Sequence, residues 1–278
     1  MSESVSHAPR ARPDGQEMAT TTVAVSVVIP TLNEAPLIGA AVRRLAWADD
    51  VIVVDGGSSD DTAERAREAG ARVLTVTGRP IGAQRNAGTD AARHRWILAL
   101  DADEAVSDEL RDRIAMLTRL SATPYTAFRV QSRNWHLGRE IRHAWGKDWK
   151  VRVFTRDHRF TEVRVHENLE VTGEVGTLDG ALLHHPYRDL AHHITKATKY
   201  ARWAAQDMRD RGRTASAFDV ALRPPLRFFR DYFLIGAWRD GTAGFLISAV
   251  SAFQVFMKYA MLLTDDERPV ARGHGPVR

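Results

Sequence analysis

Val51-Ile52-Val53-Val54-Asp55-Gly56-Gly57-Ser58-Ser59-Asp60-Asp61-Thr62 holds a strand, an acidic tip, a glycine-rich turn and a helix start in one stretch. The β-branched run Val51–Val54 suits a buried strand, and Ser59-Asp60-Asp61 starts a helix that Gly70 ends. Runs of the same kind lie on either side, at Val25–Ile29, Arg72–Val76 and Trp96–Leu100. Between the first two runs Asn33 offers an N-cap, Pro36 fits a first turn, and Leu37, Ala41 and Leu45 recur at helical spacing. Gly82–Ala92 is alanine-rich and polar on one side. Strand–helix alternation of this kind predicts an α/β fold, a mostly parallel sheet flanked by helices.

Ligands in such sheets bind beyond the carboxyl ends of the strands. Three polar clusters fall on that edge: Thr31-Leu32-Asn33-Glu34, Asp55-Gly56-Gly57-Ser58 and Asp101-Ala102-Asp103. Asp101 and Asp103 sit two apart, so a backbone that stays extended past Leu100 puts both on one face. Two such carboxylates can grip one divalent cation, which in turn neutralises a diphosphate. A solvated acidic turn is the plainer alternative; an EF-hand is excluded because Val106 stands where its turn glycine belongs. Asp55 can accept hydrogen bonds from a base edge, or belong to a routine βα turn with Ser58 or Ser59 as N-cap. Gln84, Arg85 and Asn86 sit at a helix start that attracts anions, or on the exposed polar face of an amphipathic helix. Dinucleotide-binding and Walker glycine patterns are absent.

After Ser107, which caps a helix through Leu120, shorter strands are expected at Tyr125–Ser132, Val151–Phe154 and Val163–Val171, forming the acceptor-facing half. His166 beside Glu167 reads as a ligand next to a general base, or as ordinary strand alternation. The adjacent pairs His184-His185 and His192-His193 would point to opposite faces on a strand. Asp148, between Trp145 and Trp149, is an acid in an aromatic setting that suits a sugar. From Ala191 the chain reads as helical, ending at Pro224-Pro225. An aromatic and basic stretch follows, in which Arg223, Arg227, Arg230 and Arg239 alternate with Phe228, Phe229, Tyr232, Phe233 and Trp238. That pattern suits the surface of an anionic leaflet or a core-packing helix pair. Gly241–Met257 is uncharged and sits at the lower margin for a bilayer span.

The 278 residues are 44% hydrophobic and 27% charged, an ordinary globular composition. With no cysteine, disulfides, thiolate metal sites and a cysteine nucleophile are excluded, and a reducing cytoplasm fits. The net charge of +4 comes with no nucleic-acid module, so no nucleic-acid partner is expected. The first residues lack the apolar core of a signal peptide. The expected division is 1–22 a disordered tail, 23–190 the catalytic domain, 191–265 a helical membrane-surface region, and 266–278 a flexible tail.

Four motifs carry a family resemblance in order and spacing. Ser26-Val27-Val28-Ile29-Pro30-Thr31-Leu32-Asn33-Glu34, Val53-Val54-Asp55 with Gly57-Ser58 and Asp60, Gly82-Ala83-Gln84-Arg85-Asn86, and Leu100-Asp101-Ala102-Asp103-Glu104 together resemble family 2 glycosyltransferases of the GT-A fold. Trp149 with Arg152-Val153-Phe154, Val165-His166-Glu167 and Lys258-Tyr259 resemble the subgroup containing the lipopolysaccharide-core β-1,4-glucosyltransferase. The likeness runs from Val25 to Leu263 and departs at Gly56, where that subgroup has serine. It implies an inverting transferase that moves a hexose, glucose first, from a UDP-sugar with Mg²⁺ or Mn²⁺. The acceptor would be a glycolipid or lipid-linked saccharide of the cell envelope, and the enzyme peripheral on the inner face of the cytoplasmic membrane. By motif position, Thr31, Asn33, Glu34, Asp55 and Ser58 would line the nucleotide pocket, with Gln84, Arg85, Asn86 and Arg152 nearer the diphosphate. Asp101, Ala102 and Asp103 would form the metal segment, with Asp103 the direct ligand and Asp101 beside it. Glu167 would be the general base, Asp148 its rival, and His166 a metal or diphosphate contact. A non-catalytic sugar-nucleotide sensor of the same fold is the alternative from another class. A nucleotidyltransferase is disfavoured because Pro30-Thr31-Leu32-Asn33-Glu34 replaces its glycine-rich loop.

Overall fold

The computed structural model describes residues 22–146, 148–162 and 167–266. Its first part alternates β1 (Val23–Thr31), α1 (Ala35–Arg43), β2 (Ala48–Asp55), α2 (Thr62–Glu68), β3 (Arg72–Thr75), α3 (Ile81–Asp90) and β4 (Trp96–Ala99). These strands lie in the order β3-β2-β1-β4, and every neighbouring pair is parallel. The period of two decides which side chain goes where. Val25, Val27 and Ile29 face a core built with α1 and α2 and with α4 (Asp108–Arg119). Val28, Ile52, Val54 and Ile97 face the opposite side with Phe154 and Phe160. There α3 lies so close that a Cβ on Gly88 would stand 2.3 Å from Val28 Cγ1.

The rest of the sheet is mixed, mostly antiparallel. β5 (Glu104–Val106) precedes α4, and β6 (Tyr125–His136), β7 (Arg139–Ile141) and β8 (Asp148–Thr155) follow. After the small ladder of β9 (Arg159–Phe160) and β10 (Leu169–Glu170), β11 (Glu174–His184) closes the main sheet. β8 pairs β4 antiparallel, β6 pairs β8 antiparallel, and β11 runs parallel to β6 while β5 pairs β11 antiparallel. Sequence patterning misses β11, because Gly176, Asp179 and Gly180 break its alternation where the register shifts between Thr177 and Ala181. Of the strand expected at Val163–Val171, residues 163–166 lie outside the described segment, and among the others only Leu169–Glu170 is strand, which corrects the expected length. The expected tails likewise fall almost wholly outside it.

Three helices follow: α5 (Leu190–Asp210), α6 (Ala217–Phe229) and α7 (Gly241–Asp266). The expectation that the helical region ends at Pro224-Pro225 is corrected, because both prolines lie inside α6. Each removes one backbone donor, and the helix persists because its inner side packs along α7. A wide π turn, Arg230–Leu234, continues it directly. Asp240 then accepts from the backbone N–H groups of Arg142, His143 and Ala144 at 2.8–3.1 Å, which anchors the start of α7 beside β7. Ala237–Thr264 is long and apolar enough to cross a membrane, by length and composition.

Candidate active site

The carboxyl ends of β1 and β2 are tied together by side chains rather than left open. Asn33 takes a left-handed backbone, φ 57°, so it is not the N-cap of α1; that place falls to Glu34, without a side-chain bond. The Asn33 N–H donates to Ser58 Oγ at 2.9 Å, and its Oδ1 accepts from Ser59 N–H at 2.8 Å. Ser58 in turn donates from Oγ to Asp55 Oδ1 at 2.5 Å, with its N–H 3.2 Å from both Asp55 oxygens. Neither serine caps α2, whose N-cap is Asp61. Gly57, φ 95°, is required by the turn, and a Cβ there would meet Thr77 Cγ2 at 2.1 Å. One group in this lacework stays unpaired: Thr31, 4% exposed, has a buried Oγ1 with no hydrogen-bond partner. An orphaned buried hydroxyl at a strand end is a position for a ligand polar atom.

Gln84, Arg85 and Asn86 occupy the second turn of α3, not its first, and all three are buried. Neither the helix-start placement nor the exposed polar face holds. Asn86 exchanges two hydrogen bonds with the Phe160 backbone, donating to O at 2.9 Å and accepting from N–H at 2.8 Å. Both ends of its amide are thus used to hold β9. Gln84 donates to Arg79 O at 3.2 Å and lies where a Cβ on Gly56 would stand, 3.0 Å from its Nε2. A serine at position 56 would crowd that amide.

The expectation that Asp101 and Asp103 share one face is corrected. The chain turns at Asp101, where Glu104 N–H donates to its O at 3.0 Å, and the two carboxylates part. Asp101 accepts from Arg85 Nη2 at 2.5 Å on one oxygen and Arg152 Nη2 at 2.9 Å on the other. Arg152 also reaches Glu104 Oε1 at 3.3 Å, and Glu104 Oε2 accepts from Asp101 N–H at 3.0 Å. Glu167 completes this group, its Oε1 3.7 Å from Arg85 Nε. Burial opposes ionisation of Asp101, but Arg85 and Arg152 outweigh it and hold the carboxyl well below the usual range. Burial first, then the Asp101 charge, push Glu104 the other way. Arg85 Nε and Nη1 and Arg152 Nε make no hydrogen bond. Buried guanidinium N–H groups without acceptors suit an anionic oxygen.

Asp103 turns to a different set of neighbours. Its Oδ2 lies 3.5 Å from His184 Nε2 and 3.9 Å from Lys196 Nζ, contacts too long for hydrogen bonds of strength. The short β5–β11 ladder, which pairs Glu104 with His184, delivers that histidine, and the first turns of α5 deliver the lysine. Burial and the Asp103 charge raise the Glu34 carboxyl, against Lys196 and Arg188. His184 and Lys196 are contributions that the sequence patterning passed over; the signal is that β11 turns one member of the His184-His185 pair inward. Ala102 packs, partly buried, against the core and has only its backbone to offer. Asp148, at the start of β8 opposite Ser132, is paired with Lys150 at 3.0 Å. His166 lies outside the described residues.

Among the described residues no three His, Cys, Asp or Glu side chains cluster as a self-sufficient metal cage. A hard divalent ion that takes most of its oxygens from phosphates needs only one or two carboxylates. Asp103 fits that lesser demand, since it is 22% exposed and accepts no close side-chain hydrogen bond.

Comparison with known proteins bears on this edge. Residues 26–168 match the model of glycosyl transferase family 2. An uncharacterized glycosyltransferase of Rickettsia prowazekii is 26% identical over 260 residues, 86% of each chain. The lipopolysaccharide core biosynthesis glycosyltransferase LpsC of Rhizobium meliloti is 27% identical over 254 residues, 86% of this chain and 91% of that one. A crystal structure of glucosyl-3-phosphoglycerate synthase from Mycobacterium tuberculosis, with Mn²⁺, UDP and product, aligns at 25% identity and a TM-score of 0.33, covering 47% of this chain and 51% of that one.

Proposed function

The chain belongs to glycosyl transferase family 2, and from that premise we propose that it is an inverting, metal-dependent enzyme that moves a hexose from a UDP-sugar to a glycolipid or lipid-linked saccharide. Likeness to LpsC supports a place in lipopolysaccharide or envelope polysaccharide synthesis. Glucose is the first donor to test. The proposed catalytic unit is 23–190, and 191–265 forms its helical membrane-surface region, which would hold the enzyme peripherally on the cytoplasmic face. The observation that carries the reading is the division of labour at the end of β4. Asp101 is locked between Arg85 and Arg152, while Asp103 is left without a close partner.

In this reading Thr31 Oγ1 and the Asp55–Ser58 turn meet the nucleoside, and the unpaired N–H groups of Arg85 and Arg152 meet the diphosphate. Asp103 would hold Mg²⁺ or Mn²⁺, which when bound supplies positive charge against the departing diphosphate. Lys196 and His184 flank the same negative charge from the acceptor half. Glu167 takes the proton from the acceptor hydroxyl as that oxygen bonds to the anomeric carbon. The bond from that carbon to the diphosphate oxygen breaks, and the electron pair leaves with UDP. One displacement inverts the anomeric centre, so an α-linked donor gives a β-linked product. Arg85, 3.7 Å from Glu167, positions the carboxylate for that task.

The test is consumption of a panel of UDP-sugars, with and without a lipid-linked acceptor, by the full chain and by Glu167→Gln. Transfer by the variant should fall by roughly 10²–10⁴-fold while UDP binding persists. Equal turnover by both proteins removes Glu167 as base and makes Asp148 the next acid to replace. Failure of the native chain to release UDP from any donor would favour a binding-only sensor.

A further inference from the structure

The largest unexplained feature of the molecule is the outer face of α6. Phe218, Leu222, Leu226, Phe229 and Phe233 recur every three or four residues, which sets them in one row along the helix and its π continuation. They are 74, 44, 56, 53 and 52% exposed, although buried Phe and Leu side chains are the norm. Leu234 and Trp238 prolong the row, 71 and 52% exposed. The row faces away from the protein, because the other side of α6 is the packed one. Phe228 and Tyr232 pack on Phe245 of α7, with ring centroids 5.6 and 5.9 Å apart, and Arg223 lies over the Tyr259 ring. No residue of α6 itself is buried.

Charge along this segment is sorted by depth. Asp231 and Asp240 are turned inward, their side chains 8 and 4% exposed. Arg230 stays outward, with its side chain 57% exposed, and Arg239 stacks on the outward Trp238. The outer surface is therefore apolar along its crest and cationic along its rim. Two copies of such a face would oppose arginine to arginine. A sheet of anionic headgroups over hydrocarbon matches both parts at once.

We infer that α6 and the π turn after it lie in the plane of an anionic lipid bilayer, with the Phe218–Phe233 row sunk to the acyl boundary and the arginines among the headgroups. The segment spans about 25 Å along the surface. α7 supports it from behind and does not cross the membrane. Its Ala243, Ile247, Ser248, Val250, Tyr259 and Leu262 are buried in protein, so lipid could not surround it without unpacking α5 and α6. The inference rests on the reading of a lipid-borne acceptor for its purpose, yet its test needs neither donor nor acceptor.

The full chain is floated with phosphatidylcholine vesicles and with phosphatidylcholine–phosphatidylglycerol vesicles. It should rise with the anionic vesicles, far less with the neutral ones, and come off in alkaline carbonate. Leu226→Glu with Phe229→Glu should lower the bound fraction constant by about tenfold or more, since two apolar anchors are lost. UDP binding and the unfolding temperature of that variant serve as the folding control. Should it fail to fold, Phe229→Cys carrying an environment-sensitive dye gives a second reading, clean because the chain has no other cysteine. A blue shift on anionic vesicles supports the inference, and an unchanged spectrum overturns it. Unaltered flotation of the double variant, carbonate-resistant binding, or a dimer that the double variant splits would each overturn it too. Flotation as expected from a chain that transfers no sugar would sink the enzymatic reading and leave the lipid surface standing.

Discussion

The β4 edge and the outer face of α6 handle their side chains in opposite ways. At the edge, charged and polar groups are spent on one another, so that Asp101, Arg85, Arg152, Glu104, Asn33, Ser58 and Asp55 all have partners within the fold. What is left over there is small: the Thr31 hydroxyl, three guanidinium nitrogens, and the carboxylates of Asp103 and Glu34. On α6 the leftover is large and apolar. The contrast teaches that the site is preorganised before any ligand arrives, whereas the helical face is complete only against something outside the chain. Preorganised charge in a site that excludes water costs no rearrangement at the moment of reaction.

The sharpest way to break this contrast is to remove the Asp103 carboxylate, which the edge leaves without a close partner. Asp103→Asn should cut transfer on the order of 10²–10³-fold, as loss of a charge-stabilising group does. Its unfolding temperature should stay near that of the native chain, because Asp103 makes no close side-chain hydrogen bond. Near-native turnover with added Mn²⁺, measured beside the unfolding curve, would return Asp103 to the status of a surface acid.

Much of this edge is legible in the sequence because the pattern of strands alone puts the clusters at one end of a parallel sheet. Val25–Ile29 and Val51–Val54 announce β1 and β2, and the polar residues that follow can only lie beyond their carboxyl ends. What was not legible depends on contacts between distant segments. That Asp101 and Asp103 part company follows from Arg152 on β8 and His184 on β11, respectively 51 and 81 residues beyond each. Local patterning also cannot tell that Asn86 holds the Phe160 backbone, which is 74 residues away. α6 is a third case: two prolines read as an end, and only packing on α7 lets the helix run through them.

Arg152 tests the other half of the contrast, the groups that are spent on one another. Arg152→Met keeps the bulk but leaves Glu104, whose side chain is fully buried, without its cation. Breaking a buried pair in this way costs about 3 kcal/mol or somewhat more. The pH dependence gives the cause. Burial and Asp101 already hold Glu104 above its unfolded value, so the stability tied to its proton is present at low pH and lost as pH rises through the folded value. Without Arg152 that value rises further. Urea unfolding followed as pH rises from the ordinary Glu104 value of 4.5 should show the gap between variant and native chain widening with pH. A constant gap would mean that Arg152 does not act through the Glu104 proton in this range, leaving its pairing with Asp101 and its packing as the cause.

A smaller effect lies where the sheet meets the helical region. His136 on β6 is fully buried, with Nε2 3.0 Å from His193 Nδ1 on α5, and Tyr187 stacks on His193 at 3.9 Å. Two imidazoles this close share one hydrogen, so neither tolerates a second proton. Burial, then the neighbouring His136, His192 and Lys196, bring His193 down to about 4 from its ordinary 6.5. The folded state thus binds fewer protons than the unfolded one in this window. The contribution is full above pH 6.5 and is lost as pH falls through about 4. Because Asp101 is also depressed, its own loss begins below the ordinary carboxylate value and does not overlap the upper part of that window. Replacing His193 with Asn should therefore flatten the unfolding temperature between about pH 6.5 and pH 5, where the native chain declines. The same variant should leave the donor edge intact, so UDP binding at neutral pH should hardly change. A profile that still falls as steeply in the variant would place the acid sensitivity elsewhere, and would detach the His136–His193 contact from the seating of α5 on the sheet.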